Sequence, residues 1–274
     1  MKLIITSLLI TIAVGSFAQN YTSTTNGAWT TASNWNNTSG WGTSTPPIDG
    51  SQGSGTITMN NNMTISSAYN TGSATLNISA SKTLTVNANM TVGGGSTVSV
   101  SGNLVIHGDL TLNSNLNILP GGTVTVYGNV IVYSSNYLVV GTNAVGPPYA
   151  DLIIQNDLRQ ISSGDVTLNK NARVAVLGNV SDNGDGGTKL TLNQGAQMYV
   201  NGNINYSGGG DNIVNNNSTN PYGLYVNGST NNSGGGSSTT ANDANKATMV
   251  VTNPLFATWV STQQALMPVK QRWL

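Results

Sequence analysis

Five segments of this 274-residue chain are built to one plan. In Leu76–Ala88, Met90–Gly102, Leu116–Gly128, Val166–Gly178 and Leu190–Gly202 the start of one apolar-alternating strand and the small residue closing a second lie twelve residues apart. Within each unit the second strand starts eight residues after the first, with inward pairs Leu84/Val86, Val98/Val100, Val124/Val126, Val174/Val176 and Met198/Val200. Apolar side chains two apart mark strands with one buried face. The small residues sit where the chain must turn. An Asn follows each one: Asn89, Asn103, Asn129, Asn179 and Asn203. Looser copies of the second half appear at Ile57–Met63, Leu104–Leu110, Leu152–Leu158 and Leu224–Gly228. A unit this short buries its apolar face only against its neighbours, so the repeat dictates stacking.

The strand starts between Thr56 and about Tyr206 fall mostly six to eight residues apart, with no helical period between them. Three short strands per coil give roughly 20–26 residues per coil. The unit starts differ by 14, 26, 50 and 24 residues, and 50 is two coils of 25. The interval of 14 and the stretch Ser134–Ile161 break the register, which places loops or an irregular coil around Gly146-Pro147-Pro148. Coiling puts Val on Val, Gly on Gly and Asn on Asn at about 4.8 Å, which a sandwich of hairpins does not. The expected fold is all-β: a right-handed single-stranded parallel β-helix, or β-solenoid, its hand following the general crossover preference. The five Asn residues are expected to form an amide ladder that satisfies turn backbone groups. The repeat body spans 56–252, with a loop-rich part at 207–247 and a tail at 253–274.

Charged residues make up only 7% of the chain, against an ordinary ~25%. All nine acidic residues are Asp, and the formal net charge is zero. That excludes an electrostatic nucleic-acid binder or a surface built for anionic lipid. The absence of Cys excludes a disulfide scaffold and a Cys-bearing zinc site. Met1 to Ala18 reads as a secretory signal: Lys2, an apolar run from Leu3 to Val14, and Ser16-Phe17-Ala18 as a small-x-small cleavage site. The run is too short to span a bilayer, and no other stretch approaches that length. The mature chain is expected to be secreted or at the extracellular surface, without a membrane span.

Residues 19–55 differ in composition from the repeat body. They hold Trp29, Trp35 and Trp41, three of the five tryptophans, among Asn, Thr, Ser and Gly. The first coil of a solenoid exposes apolar side chains and strand edges, so these tryptophans are read as an N-terminal cap. The order Asn26-Gly27-Ala28-Trp29, then Trp35, then Pro46-Pro47 and β repeats resembles the start of secreted parallel β-helix proteins of the Bacteroidetes group. That resemblance implies a surface or adhesin-like protein, often exported by the type IX system. Leu266-Met267-Pro268-Val269-Lys270 is similar to the Leu-Pro-Val-x-Leu segment that often follows such helices, before fibronectin-like and sorting modules.

The residues carry little sign of catalysis. Lyases and hydrolases on this kind of fold need clustered carboxylates, or a Lys or Arg base near acids. Asp109 and Asp157 stand where other copies carry Asn, and read as turn residues. His107 precedes the Gly108-Asp109 turn and has no evident catalytic partner in the sequence. The most metal-like stretch holds Asp182, Asn183 and Asp185 among glycines. Its oxygen donors suit Ca²⁺, although the EF-hand spacing is incomplete. Outward hydroxyls recur at Thr56/Thr58, Thr83/Thr85, Thr97/Ser99 and Thr123/Thr125. Stacked, Thr58, Thr85, Ser99 and Thr125 would make one flat binding face. The sequence therefore points to an exported, non-enzymatic structural or adhesin-like surface protein contacting glycans or other surfaces. An ice- or carbohydrate-binding solenoid using the Thr face is the alternative, and a polysaccharide lyase or hydrolase the second.

Overall fold

The computed structural model describes residues 18–39, 45–47, 53–133, 137–183, 189–207, 213–215 and 223–232. The alternating segments are strands, and their apolar residues are the buried ones. Thr97–Val100 buries Val98 and Val100 and leaves Thr97 and Ser99 partly open. After it come Asn103–Ile106 and Leu110–Leu112, and the next strand, Asn115–Ile118, lies back on Thr97–Val100 in parallel. Three strands thus close one coil, and each adds to a different sheet. Face A runs from Tyr21–Ser23 through Thr97–Val100 to Ile213–Asn215, face B from Gly27–Ala28 through Asn103–Ile106 to Leu224–Val226, and face C from Tyr69–Asn70 through Leu110–Leu112 to Thr230–Asn232. The chain is a β-solenoid of about 7 turns. Among the described residues every strand pairing is parallel except the one between Tyr21–Ser23 and Trp35–Asn37 at the N-terminal end of face A.

The core is a set of stacked columns. Val98 sits between Leu76 and Leu116, and Leu104 between Leu84 and Val124, all fully buried. Burying each such side chain contributes roughly 1.5–3 kcal/mol before conformational entropy is counted. One column changes character. On face C the last inward position is Val92, Leu112 and Val132 in successive coils, then Gln160 and Asp182, and Tyr206 lies one coil further on. There the interior is held by hydrogen bonds. The Tyr206 hydroxyl donates to Gln160 Oε1 at 2.6 Å, and Gln160 Nε2 donates to the carbonyls of Gly164 and Lys189.

The three corners of the coil are not equivalent. From face B to face C the spacing never varies: Leu84 to Met90, Val124 to Val130, Leu152 to Leu158 and Met198 to Ile204 are all six residues apart. The other two corners absorb all the variation. From face A to face B the spacing is six at Val98–Leu104, eight at Leu116–Val124 and fourteen at Leu138–Leu152. This corrects the register expected from the sequence. Leu76, Leu116, Val166 and Leu190 do lie on face A, but Met90 lies on face C, so Met90–Gly102 straddles a different corner. Leu76 to Leu116 is two coils of 22 and 18 residues, and Leu116 to Val166 two of 22 and 28. The stretch expected to be irregular, Ser134–Ile161, keeps its strands at Tyr137–Val140, Ala150–Ile154 and Leu158–Gln160. Its main excursion is the corner at 141–149. There Asn171 Oδ1 accepts the Thr142 N–H at 2.7 Å, and its amide donates to the Pro148 carbonyl.

At the N-terminal end Trp29 is fully buried and Trp35 nearly so. Their rings meet edge to face at 4.7 Å, and Trp29 also packs on Tyr69. Both indole N–H groups are satisfied, Trp29 by the Pro46 carbonyl and Trp35 by the Trp29 carbonyl. Trp41 lies outside the described residues, as do residues 1–17 of the expected signal and most of the loop-rich and tail segments.

Candidate binding surface

The small-Asn pair of the repeat has a physical cause at the invariant corner. Asn89 Oδ1 accepts the backbone N–H of Asp109 in the next coil at 2.9 Å. Asp109 does the same for Asn129, Asn129 for Asp157, Asp157 for Asn179, Asn179 for Asn203 and Asn203 for Ser229, at 2.7–3.2 Å. Each coil thus satisfies a turn donor of the next one. At Gly108, Gly128, Gly178, Gly202 and Gly228 the residue before the rung has no room for a Cβ, because the incoming oxygen occupies its place. A Cβ on Gly128 would lie 2.3 Å from Asp109 Oδ1, and one on Gly202 2.5 Å from Asn179 Oδ1. Where Asn156 replaces Gly, the rung into Asp157 is the longest of the set, 3.2 Å. Of the five expected ladder residues, Asn89, Asn129, Asn179 and Asn203 are rungs. Asn103 is not: it opens a face B strand, at another corner, and its amide donates to Thr83 Oγ1. Asp109 and Asp157 fill the missing rungs.

The hydroxyl residues are placed on two faces. Thr85 and Thr125 are on face B with Val105 between them, whereas Thr58 and Ser99 are on face A with Asn77 between them. The single Thr face expected from the sequence does not exist: Ser99 is on face A because the Met90–Gly102 unit belongs to another corner, and Thr58 because Thr56–Met59 is itself a face A strand. Face A carries a more regular array instead. Thr56, Thr75, Thr97 and Asn115 align in one outward row, and Thr58, Asn77, Ser99 and Asn117 in the next. All eight are partly exposed and uncharged. Their spacing along the solenoid axis is about 4.8 Å, that of adjacent strands. Asn77, Asn115 and Asn117 escape a sequence pattern built on hydroxyls alone.

The acidic residues in the described part are engaged with neighbours. Asp151 holds Arg173 through two contacts, at 2.8 and 2.6 Å, and Arg173 stacks over Tyr149 at 4.3 Å. For Asp157, burial pushes the carboxyl pKa up. The Asn179 backbone N–H, the hydrogen bond and charge of Arg159, and the Asn179 amide outweigh that and hold it below the usual value. Asp165 goes the other way: burial raises it, partly offset by the charge of Lys189. His107 is exposed and stacks flat on Tyr127 at 4.9 Å. Asp182 Oδ1 accepts from the Ser207 N–H and hydroxyl in the next coil, and Asn183 Oδ1 from the Ser162 N–H in the preceding one. The two described members of the expected Ca²⁺ set thus reach to opposite sides, and Asp185 lies outside the described residues. Among the described residues no three acidic or histidine side chains gather in a metal-holding group. No family model, curated protein or solved structure matches this chain.

Proposed function

We propose that this chain is an exported, non-enzymatic surface protein of adhesin-like kind, and that it meets neutral glycans or similar polar surfaces through face A. The observation that carries this reading is the array of eight uncharged hydroxyl and amide side chains aligned over four coils. Such a lattice offers paired donors and acceptors at a fixed repeat, which suits a polymer of hydroxyl groups. Its lack of charge fits a neutral partner better than an acidic one. The signal-like N-terminus and the Trp segment that resembles secreted Bacteroidetes-type β-helices support the address. The engagement of Asp109, Asp157, Asp151 and Asp182 in coil-to-coil contacts supports a structural use of the carboxylates.

The test is a glycan array read together with adhesion to polysaccharide-coated beads. Wild-type protein is expected to bind neutral glycans. The double variant Asn77→Lys/Ser99→Lys is expected to lose binding, and Thr111→Lys on face C to keep it. No binding by the wild type removes the adhesin reading. Release of products from neutral or acidic glycans would replace it with an enzyme.

A further inference from the structure

The second outward row of face A runs further than the four coils that carry the array. Thr22 stands beside Thr58, and Asn36, in the antiparallel strand, stands beside Thr22. The row therefore reads Asn36, Thr22, Thr58, Asn77, Ser99 and Asn117 across neighbouring strands. All six are exposed or partly exposed. At about 4.8 Å per strand the row is some 24 Å long. It ends at Val139, which takes the same place in the following coil. A third row stands beside it, one residue beyond the strands. Asn60 is exposed there, and Ser79 and Ser101 are partly so. The Ser79 and Ser101 N–H groups bond to the Met59 and Ile78 carbonyls of the coil before, and the Ser79 hydroxyl donates to Asn60 Oδ1 at 2.7 Å. Rows two residues apart on a strand lie about 6.6 Å from each other, which makes the three rows some 13 Å wide.

Two features of this lattice decide what fits it. Its area, on the order of 300 Å², is well below the ~800 Å² that each partner buries in a stable protein interface. Its side chains are Thr, Ser and Asn, with no aromatic ring on which a single sugar could stack. A hydrogen bond to it exchanges water for partner and nets only about 1 kcal/mol. A free oligosaccharide that must be ordered on binding gains little from such bonds. A partner whose hydroxyls are already fixed has no such ordering cost, and its contacts add up over rows and coils. The protein side is fixed too, since its backbone is paired strand to strand and Thr is stiff at χ1.

We propose that the partner of face A is the surface of a solid neutral polysaccharide, with chains packed side by side, and that the whole row from Asn36 to Asn117 lies on it. This rests on the glycan reading of face A and adds the physical form of the ligand and the length of the contact.

The test is depletion of the full chain from solution by microcrystalline cellulose and microcrystalline chitin, with the soluble hexasaccharides of the same sugars as competitors. At least one solid is expected to deplete the wild type, and its hexasaccharide at equal sugar concentration to displace less than a tenth of the bound protein. Asn36→Lys and Asn117→Lys, at opposite ends of the row, are each expected to weaken retention several-fold, and Thr111→Lys on face C to leave it unchanged. Displacement by the hexasaccharides overturns the solid partner and leaves glycan binding by face A standing. So does binding to the glycan array without retention on either solid. Retention unaffected by Asn36→Lys overturns the long contact. Incorporation into growing ice without retention on either solid overturns the proposal in favour of frozen water as the partner. No binding to the solids, the beads and the array alike removes the reading of face A itself.

Discussion

Gly128 is a residue at which the repeat leaves no room for a side chain. A Cβ there meets Asp109 Oδ1 at 2.3 Å and the Gly108 carbonyl at 2.6 Å. Gly128→Ala is therefore expected to cost about 1–3 kcal/mol, the range of overpacking, measured by urea unfolding. The rung itself separates shape from charge. Asp109→Asn keeps an oxygen for the Asn129 N–H and is expected to be nearly neutral, whereas Asp109→Ala loses about 1 kcal/mol. Asp157 adds a pH term. Its folded pKa is lowered, so its contribution is present above the ordinary value of 3.8 and is lost as pH falls through the folded value. Asp165, raised in the fold, has the opposite sign: its contribution is present below that value and lost as pH rises. Asp157→Asn is expected to flatten the acid limb of the stability curve, and Asp165→Asn to steepen it. The Asn rungs were legible in the sequence because Asn follows a small residue five times. Asp109 and Asp157 look there like plain turn residues, because the N–H groups they serve lie 20 and 22 residues away.

The strands themselves were readable, since an apolar residue at every second position has few other outcomes. Their register was not. A spacing of eight occurs at the corner from face A to face B and again at the corner from face C to face A, so it cannot say which corner is meant. Gly102-Asn103 copies the small-Asx signature at a corner where it makes no rung. What stays constant is the six-residue step into face C, although six also occurs at Val98–Leu104 and Leu110–Leu116. That step predicts an asymmetry between insertions. Two glycines added after Gly146, in the long corner, are expected to lower stability by under about 1 kcal/mol, because lengthening an open loop costs little. Two added between Tyr127 and Gly128 move Gly128 and Asn129 off the Asp109 rung and are expected to unfold the neighbouring coils. Circular dichroism melts of the two insertions check this.

Across the whole molecule, each coil touches chiefly the coils before and after it, so stability is a sum over neighbours rather than one shared core. The ends are then the weak points. Trp29 and Trp35 bury the N-terminal end. Trp29→Ala is expected to open the first coils to hydrogen exchange while protection at Leu104 and Val124 stays unchanged. The same one-dimensional order makes a side face a repeating surface, and that is how the fold bears on function. Faces A and B offer different chemistry: an open uncharged lattice on one, and on the other a row that turns apolar and buried after Thr125, at Ile153, Ala175 and Tyr199. The most direct test is a charge scan of both faces read by adhesion to beads coated with a neutral polysaccharide. Single Lys substitutions at Thr75, Asn77, Thr97 and Ser99 are expected each to weaken adhesion several-fold, while Thr85→Lys and Thr125→Lys leave it unchanged. Equal losses from both faces, or losses confined to face B, would contradict the assignment of face A as the contact surface.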